Sequence, residues 1–150
     1  AGFLLDHCAS RGAEIIKKLL EECASNGKLP EGKKQTGKAS YTKIIAKDDC
    51  RIDWLKSAAE IDAKIRAYFP EPGAWTEENG APLKILSARV SDDIPASSEI
   101  PGTVLSFDKK RGILVQTGSG ILAVTELKRQ GKKALDASSF INTSQRHCQL

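Results

Sequence analysis

Polar and apolar residues alternate in a series of short runs between residues 74 and 129, and glycine, asparagine or proline separates the runs. An alternation with a period of two predicts β-strands with one buried face, because successive side chains of a strand point to opposite sides of the sheet. Five strands joined by short turns predict a small antiparallel barrel. The candidate strands are AWTEE, LKILSARV, TVLSF, GILVQTG and GILAVTELK.

Two helical segments accompany this predicted barrel. In SAAEIDAKIRAYF the apolar residues recur at helical spacing, with Ser57 as a candidate N-cap and Pro70 as the stop. The predicted buried edge of this helix is Ile61, Ile65 and Tyr68. Near the end of the chain, DASSFI predicts a closing helical turn with Asp136 as its N-cap.

The start of the chain has a different pattern. GAEIIKKLLEECASNG carries an apolar stripe at helical spacing and ends at Asn26-Gly27, a glycine stop. Gly12 separates this segment from AGFLLDHCAS, so we expect two short helices here. An apolar stripe of this size needs a partner surface, and we expect a domain outside this chain to supply that surface.

These patterns divide the chain into four parts. KLPEGKKQTGK is rich in helix breakers and predicts a linker, while ASYTKII and CRIDW predict short extended pieces after it. We expect a helical segment at residues 1–27, a linker at 28–40, a barrel at 41–143 and a tail at 144–150. The predicted fold class is α+β, mainly β, with a small antiparallel barrel that resembles an oligonucleotide-binding fold.

Composition narrows the cellular context. The chain begins with Ala1 and contains no methionine, so we expect a fragment or a processed product. No apolar run approaches the roughly 18 residues that cross a bilayer, and no signal sequence is present, which favours a cytosolic protein. The four cysteines lack C-x-x-C spacing, which favours reduced thiols over a zinc ribbon or a disulfide framework. We expect no metal site, because the two histidines lie at opposite ends of the chain.

The net charge of +4 is unevenly distributed. Residues 101–150 carry eight basic and three acidic groups, a net charge of +5, in the clusters DKKRG, LKRQGKK and QRHC. Such clusters favour a polyanionic partner, with a plain solvated surface as the alternative interpretation.

Motifs for catalysis are missing from the sequence. A Walker loop, G-x-G-x-x-G, H-E-x-x-H and G-x-S-x-G are all absent. Asp6 and His7 are adjacent on a predicted helix and point about 100° apart, so they cannot form an acid–base relay. The phosphate-loop, dinucleotide, zincin and hydrolase-elbow interpretations therefore lack their minimal parts, and we interpret Asp6 and His7 as surface residues.

Two features between the helices and the strands remain open to interpretation. Asp53 lies in an apolar stretch, and burial would require an ion pair with Arg51 or Arg66, or a helix-cap bond. Trp54 and Trp75 could stack on nucleic-acid bases, but we favour core anchors because they flank a helix.

Three motifs carry a resemblance to a known family. RIDW, PGAWT and GKKALDA, in this order and within otherwise similar sequence, resemble the C-terminal part of the methionyl-tRNA formyltransferases. The resemblance implies that residues 1–27 are the end of an absent catalytic domain and that the barrel holds tRNA. It also implies 10-formyltetrahydrofolate as formyl donor, with no cofactor in this chain, and a monomer whose partners are initiator tRNA and the catalytic domain.

The family's catalytic residues have no counterpart here. Formyl transfer in the family requires an Asn, a His and an Asp of the N-terminal domain, and the Asn-x-His pattern occurs nowhere in this sequence. The chain departs from the family's linker pattern at YTKIIAK, where Ile44 replaces an expected lysine beside Lys43. The predicted RNA-binding residues are Lys43, Lys47, Lys109, Lys110, Arg111, Lys128, Arg129, Lys132 and Lys133.

Other hypotheses share part of this pattern. Formyltetrahydrofolate dehydrogenases and sugar-nucleotide formyltransferases have a similar barrel, but the GKKALDASSFIN ending favours the tRNA enzyme. A stand-alone nucleic-acid-binding barrel is a third hypothesis, and the helical N-terminus counts against it.

Overall fold

A computed structural model describes residues 2–91 and 98–145 of the 150-residue chain. It divides into two compact units, Ala1–Ile44 and Ile45–Leu150. We describe each unit by itself. The basic QRHC cluster and the predicted tail fall largely on residues 146–150, outside the described residues.

The first unit contains one helix, α1 (Gly2–Asn26), followed by chain without regular structure. The expectation of two helices separated by Gly12 is wrong. A glycine inside a helix costs only about 0.5–1 kcal/mol, which the surrounding helix tolerates. The predicted stop is confirmed, because Gly27 has φ +69° and its N–H donates to the Cys23 carbonyl at 2.8 Å. Within the described chain no helix has the length and apolar character to cross a membrane.

The second unit is mainly β, which confirms the predicted fold class. Its helices are α2 (Ala58–Tyr68) and α3 (Ala137–Gln145), and a 3-10 turn covers Asp48–Cys50. Its strands are β1 (Ala74–Glu78), β2 (Ala81–Val90), β3 (Val104–Asp108), β4 (Gly112–Gln116), β5 (Ile121–Arg129) and β6 (Leu135–Asp136). All five strands that the alternation predicts are present within two residues of their expected bounds.

The six strands form one antiparallel sheet in the order β1-β2-β5-β4-β3, and the short strand β6 pairs with β5. Strand β5 is central, because it pairs with β2 over most of its length and with β4 and β6 in succession. Glycine allows a close backbone approach just before this strand. A Cβ on Gly118 would lie 1.8 Å from the Leu55 carbonyl oxygen, and the Gly118 N–H donates to the Trp54 and Lys56 carbonyls.

One face of the sheet covers the core. Strands β2 and β5 send Leu83, Ile85, Leu122, Val124 and Leu127 into it. Helix α2 packs against β2, and Ile61 and Ile65 of the predicted edge are buried. Tyr68 is partly buried beside them, as predicted, and Phe140 of α3 completes the core.

The helix caps predicted from the sequence are confirmed. The Ser57 hydroxyl accepts from the Glu60 N–H, while the Glu60 carboxylate accepts from the Ser57 N–H, which makes a capping box. At α3 the Asp136 carboxylate accepts from the Ser139 N–H at 2.9 Å. The Ser57 hydroxyl also donates to the Glu60 carboxylate at 2.7 Å, and this bond, followed by the one from the Ser57 N–H, lowers the pKa of Glu60. The bonds from Ser139 lower the pKa of Asp136.

The segment before α2 is exposed over most of its length. ASYTKII forms no strand, because it has no strand partner and its side chains are exposed. Asp53 is exposed rather than buried, so it needs no ion pair, and its carboxylate accepts from the Leu55 N–H at 3.1 Å. The predicted partner Arg51 pairs with Glu77 at 3.2 Å instead.

Candidate nucleic-acid interface

Three residues of neighbouring strands form a row across the outer face of the sheet. Trp75 of β1 lies opposite Lys84 of β2, and Lys84 lies opposite Lys128 of β5. Their sequence neighbours Ala74, Leu83 and Leu127 are buried in the core. Because side chains alternate along a strand, all three members of the row face away from the core. We call these three residues the cross-strand row.

The two lysines of the cross-strand row are differently paired. Lys84 donates to the Glu71 carboxylate at 3.1 Å, a contact with a largely exposed glutamate. Lys128 has no carboxylate partner among the described residues. Like charges directly opposite each other on adjacent strands destabilise a sheet, and an exposed ion pair offsets little of that cost. The arrangement suits an anion that both ammonium groups can approach.

Trp75 is fixed in place by the segment before α2. Its indole Nε1–H donates to the Lys47 carbonyl at 2.9 Å. The Lys47 ammonium lies 5.2 Å and the Arg51 guanidinium 5.6 Å from the ring centroid, both within cation–π range. The half-buried indole is therefore held among positive charges.

A cavity of about 450 Å³ opens beside the cross-strand row. Pro72, Pro82 and Trp75 give it apolar walls, and positive charge comes from Lys47, Lys84, Lys128 and Arg129. No carboxylate of the described residues lines it. The turn after β5 closes one side through Gln130 and Gly131. Its chemistry favours a ligand that is both anionic and partly apolar.

The structure brings together only part of the predicted RNA-binding set. Lys47, Lys128 and Arg129 line the cavity, and Lys132 and Lys133 are exposed in the turn that follows Gly131. The backbone N–H of Lys132 donates to the Arg129 carbonyl at 3.1 Å, which tightens this turn. Five of the predicted cations therefore belong to the cavity and the turn beside it.

The predicted cluster at Lys109, Lys110 and Arg111 lies apart from the cavity, in the turn between β3 and β4. The Asp108 carboxylate accepts from the N–H groups of Lys110 and Arg111, which lowers the pKa of Asp108. Lys43 belongs to the first unit and is exposed. These four cations stay predicted RNA contacts that the cavity does not include.

Arg129 has a role in the fold. Its guanidinium donates two bonds to the Glu78 carboxylate, at 2.7 and 2.8 Å, and lies 4.2 Å from the Phe140 ring centroid. The bonds to Glu78 raise the pKa of Arg129 above its ordinary value. Arg129 lines the cavity, but because its guanidinium joins β1, β5 and α3, we assign its main role to the fold.

The cavity offers no evident chemistry for covalent catalysis or for a metal. Cys50 lines it, but the side chain is buried and its Sγ contacts the Ala46 carbonyl at 3.6 Å. Burial and the nearby Asp49 carboxylate raise the pKa of this thiol, which keeps it protonated and unreactive at neutral pH. Across residues 2–91 and 98–145, no three His, Cys, Asp or Glu side chains are grouped to hold a metal ion.

Sequence reasoning missed Lys84 and Arg51 as members of this surface and favoured Trp75 as a core anchor. Trp54 does pack on the core, with its indole N–H donating to the Thr76 hydroxyl at 3.0 Å. For Trp75 a signal was present, because alternation from the small residue Ala74 places it on the opposite face. The register that sets it beside Lys84 and Lys128 joins separate segments and leaves no local signal.

Comparison with known proteins gives a family and a relative that each cover most of the chain. The family model described as "Formyl transferase, C-terminal domain" matches residues 44–145. The methionyl-tRNA formyltransferase of Treponema denticola is 41% identical over 147 residues, covering 94% of this chain and 44% of the relative. The chain thus spans less than half the length of this curated relative.

Solved structures share the fold at lower identity. A variant of HypX from Aquifex aeolicus superposes with a TM-score of 0.69 at 17% identity, over 89% of this chain and 23% of that chain. HypX in complex with tetrahydrofolic acid gives a TM-score of 0.67 at 18% identity, over 85% of this chain and 22% of that chain. At this identity the likeness concerns the fold alone.

Proposed function

The chain belongs to the formyl transferase C-terminal domain family, and we propose that it is the tRNA-holding part of a methionyl-tRNA formyltransferase. In this proposal a catalytic domain outside the chain transfers the formyl group from 10-formyltetrahydrofolate to initiator Met-tRNA. The barrel holds the tRNA while its acceptor end reaches that domain. The 41% identity to a methionyl-tRNA formyltransferase supports this substrate over those of the folate or sugar-nucleotide enzymes.

The observation that carries the proposal is the convergence of cations at one end of β5. Lys47, Lys84 and Lys128 surround one cavity, and Lys132 and Lys133 follow in the adjacent turn. Phosphate contacts of this kind position a nucleic acid without reading its sequence. A surface of lysines can therefore hold a tRNA without recognising its sequence. In this proposal the specific recognition lies with the catalytic domain and the acceptor end of the tRNA.

The proposal leaves catalysis to the absent domain. The Asn-x-His pattern of the family is missing from the sequence, and Asp6 and His7 are exposed neighbours on α1. We expect the isolated chain to transfer no formyl group, with or without the folate donor.

Filter binding of labelled initiator tRNA across a range of salt concentrations tests the proposal. We expect binding that weakens steeply with salt, because each neutralised phosphate releases counterions. The double variant Lys132→Ala/Lys133→Ala should bind more weakly and lower the slope of log K against log salt by about 2.

A matched control removes the same charge elsewhere. Lys17→Ala/Lys18→Ala changes an adjacent lysine pair on α1, and we expect a smaller effect from it. A flat salt response of the unmodified chain, or equal losses from the two double variants, would remove the electrostatic basis of the proposal.

A further inference from the structure

We propose that the cavity beside the cross-strand row binds a single unstacked nucleotide of RNA. The base lies against Trp75 and the proline walls, and the phosphate lies between Lys84 and Lys128. This inference rests on the proposed function and names the part of the RNA that the site takes.

The apolar walls argue for a base. A surface that recognised phosphate alone would need cations only, but Trp75, Pro72 and Pro82 together line this cavity. Base-on-aromatic stacking works for any base and requires that the base leave its own stack. A duplex keeps its base faces covered by neighbouring pairs, so a duplex cannot use the indole in this way.

The positions of the lysines argue for a phosphate next to that base. Adjacent strands lie about 4.8 Å apart, so Lys84 and Lys128 are one and two strand spacings from Trp75 in the cross-strand row. A bound phosphate would offset the repulsion between the two opposed ammonium groups. Base and phosphate of one nucleotide are therefore matched by neighbouring side chains of one row.

Gly73 and Glu71 both lie next to the Lys84 side chain. A Cβ on Gly73, which has φ +85°, would lie 3.0 Å from the Lys84 Cδ, so a side chain at this position would push the lysine stem aside by a few tenths of an ångström. The Lys84 ammonium donates to Glu71, whose side chain is 75% exposed. An exposed pair of this kind contributes little stability, so a phosphate can displace the carboxylate.

Fluorescence of Trp75 gives a direct test. The chain has two tryptophans, and Trp54→Phe leaves Trp75 as the sole reporter. We expect single-stranded hexanucleotide RNA to quench this reporter at a salt concentration where a blunt RNA duplex and inorganic polyphosphate leave it unchanged. Equal quenching by duplex and single strand, or by polyphosphate, would overturn the assignment of the base to Trp75.

Substitution of the ring gives a second test that separates binding from folding. Trp75→Leu should weaken single-strand binding about tenfold or more, while Trp75→Phe, which keeps an aromatic face, should lose less. Trp54 emission in both variants reports whether the core has kept its packing. Equal affinities of a folded Trp75→Leu variant and the unmodified chain would contradict the inference.

The same fluorescence experiment distinguishes a nucleotide of an RNA chain from a free nucleotide. Adenosine monophosphate added alone should quench Trp75 only at far higher concentration than the hexanucleotide, whose other phosphates contact the surrounding lysines. Quenching by the free nucleotide at equal concentration would overturn the assignment to RNA. If tRNA still binds with a steep salt response while single strands leave Trp75 unchanged, the nucleotide site fails and the proposed function stands.

Discussion

Lys128 and Arg129 are neighbours in the sequence, and β5 sends them to opposite faces. Lys128 points outward into the cross-strand row, while Arg129 binds Glu78 and covers Phe140. A cluster such as LKRQGKK therefore mixes residues that face solvent with residues that hold the fold. Charge counting predicted the basic surface, but it could not distinguish these two roles, because the partner Glu78 lies 51 residues away.

Replacing Arg129 should affect stability more than RNA binding. Arg129→Ala removes two charge-assisted hydrogen bonds and the cover of Phe140 at a partly exposed site, for an expected loss of about 1–2 kcal/mol. Urea unfolding measures this loss. Lys128→Ala is the matched control, and it should leave the unfolding midpoint nearly unchanged while weakening tRNA binding. The opposite pattern would contradict the division of roles.

At the scale of elements, the sequence predicted those features that are determined by residues close together in the chain. Alternation located the five longer strands, and the capping residues located the start of α2 and of α3. Strand β6 has two residues, too few to show any period. The order and register of the strands depend on contacts between distant segments, so the cavity could not be predicted from the chain alone.

The capping box should contribute measurably to α2. Ser57→Ala removes the acceptor for the Glu60 N–H, and we expect a loss of about 1 kcal/mol in the free energy of unfolding. Ser57→Thr keeps a hydroxyl acceptor and should recover most of that loss. Chemical denaturation of both variants checks this, and equal stabilities of the alanine and threonine variants would count against the cap.

Three hydrogen-bonded carboxylates, two at helix caps and one in a turn, should make the free energy of unfolding depend on pH in the acid range. The pKa values of Glu60, Asp108 and Asp136 are lowered by hydrogen bonds in the folded state. The unfolded state then binds more protons near pH 4, so stability is present above about pH 4 and is lost as the pH falls through the lowered values.

Urea midpoints between pH 3 and pH 6 measure that dependence. The triple variant Glu60→Gln/Asp108→Asn/Asp136→Asn retains polar groups at the three sites and should show a flatter profile than the unmodified chain. Identical profiles for the two proteins would show that these hydrogen bonds do not cause the pH dependence of stability.

At the scale of the whole molecule, the two units expose surfaces of different character. The second unit supplies a face with positive charge at one end of β5. The first unit exposes the apolar residues Phe3, Leu4, Leu5, Ile15, Ile16 and Leu20 on α1. The family resemblance in the sequence predicted the division between an absent catalytic domain and a tRNA-holding barrel, which no pattern within these residues could establish by itself.

The salt dependence of initiator tRNA binding to two double variants tests the central claim most directly. Lys47→Ala/Lys128→Ala removes two cavity lysines, and Lys18→Ala/Lys56→Ala removes two exposed lysines elsewhere. Lys56 lies near the start of β5, where its carbonyl accepts from Gly118, whereas Lys128 lies near the end. We predict that the cavity variant lowers the slope of log K against log salt by about 2 while the control changes it little. Equal slopes for the two variants would contradict the account.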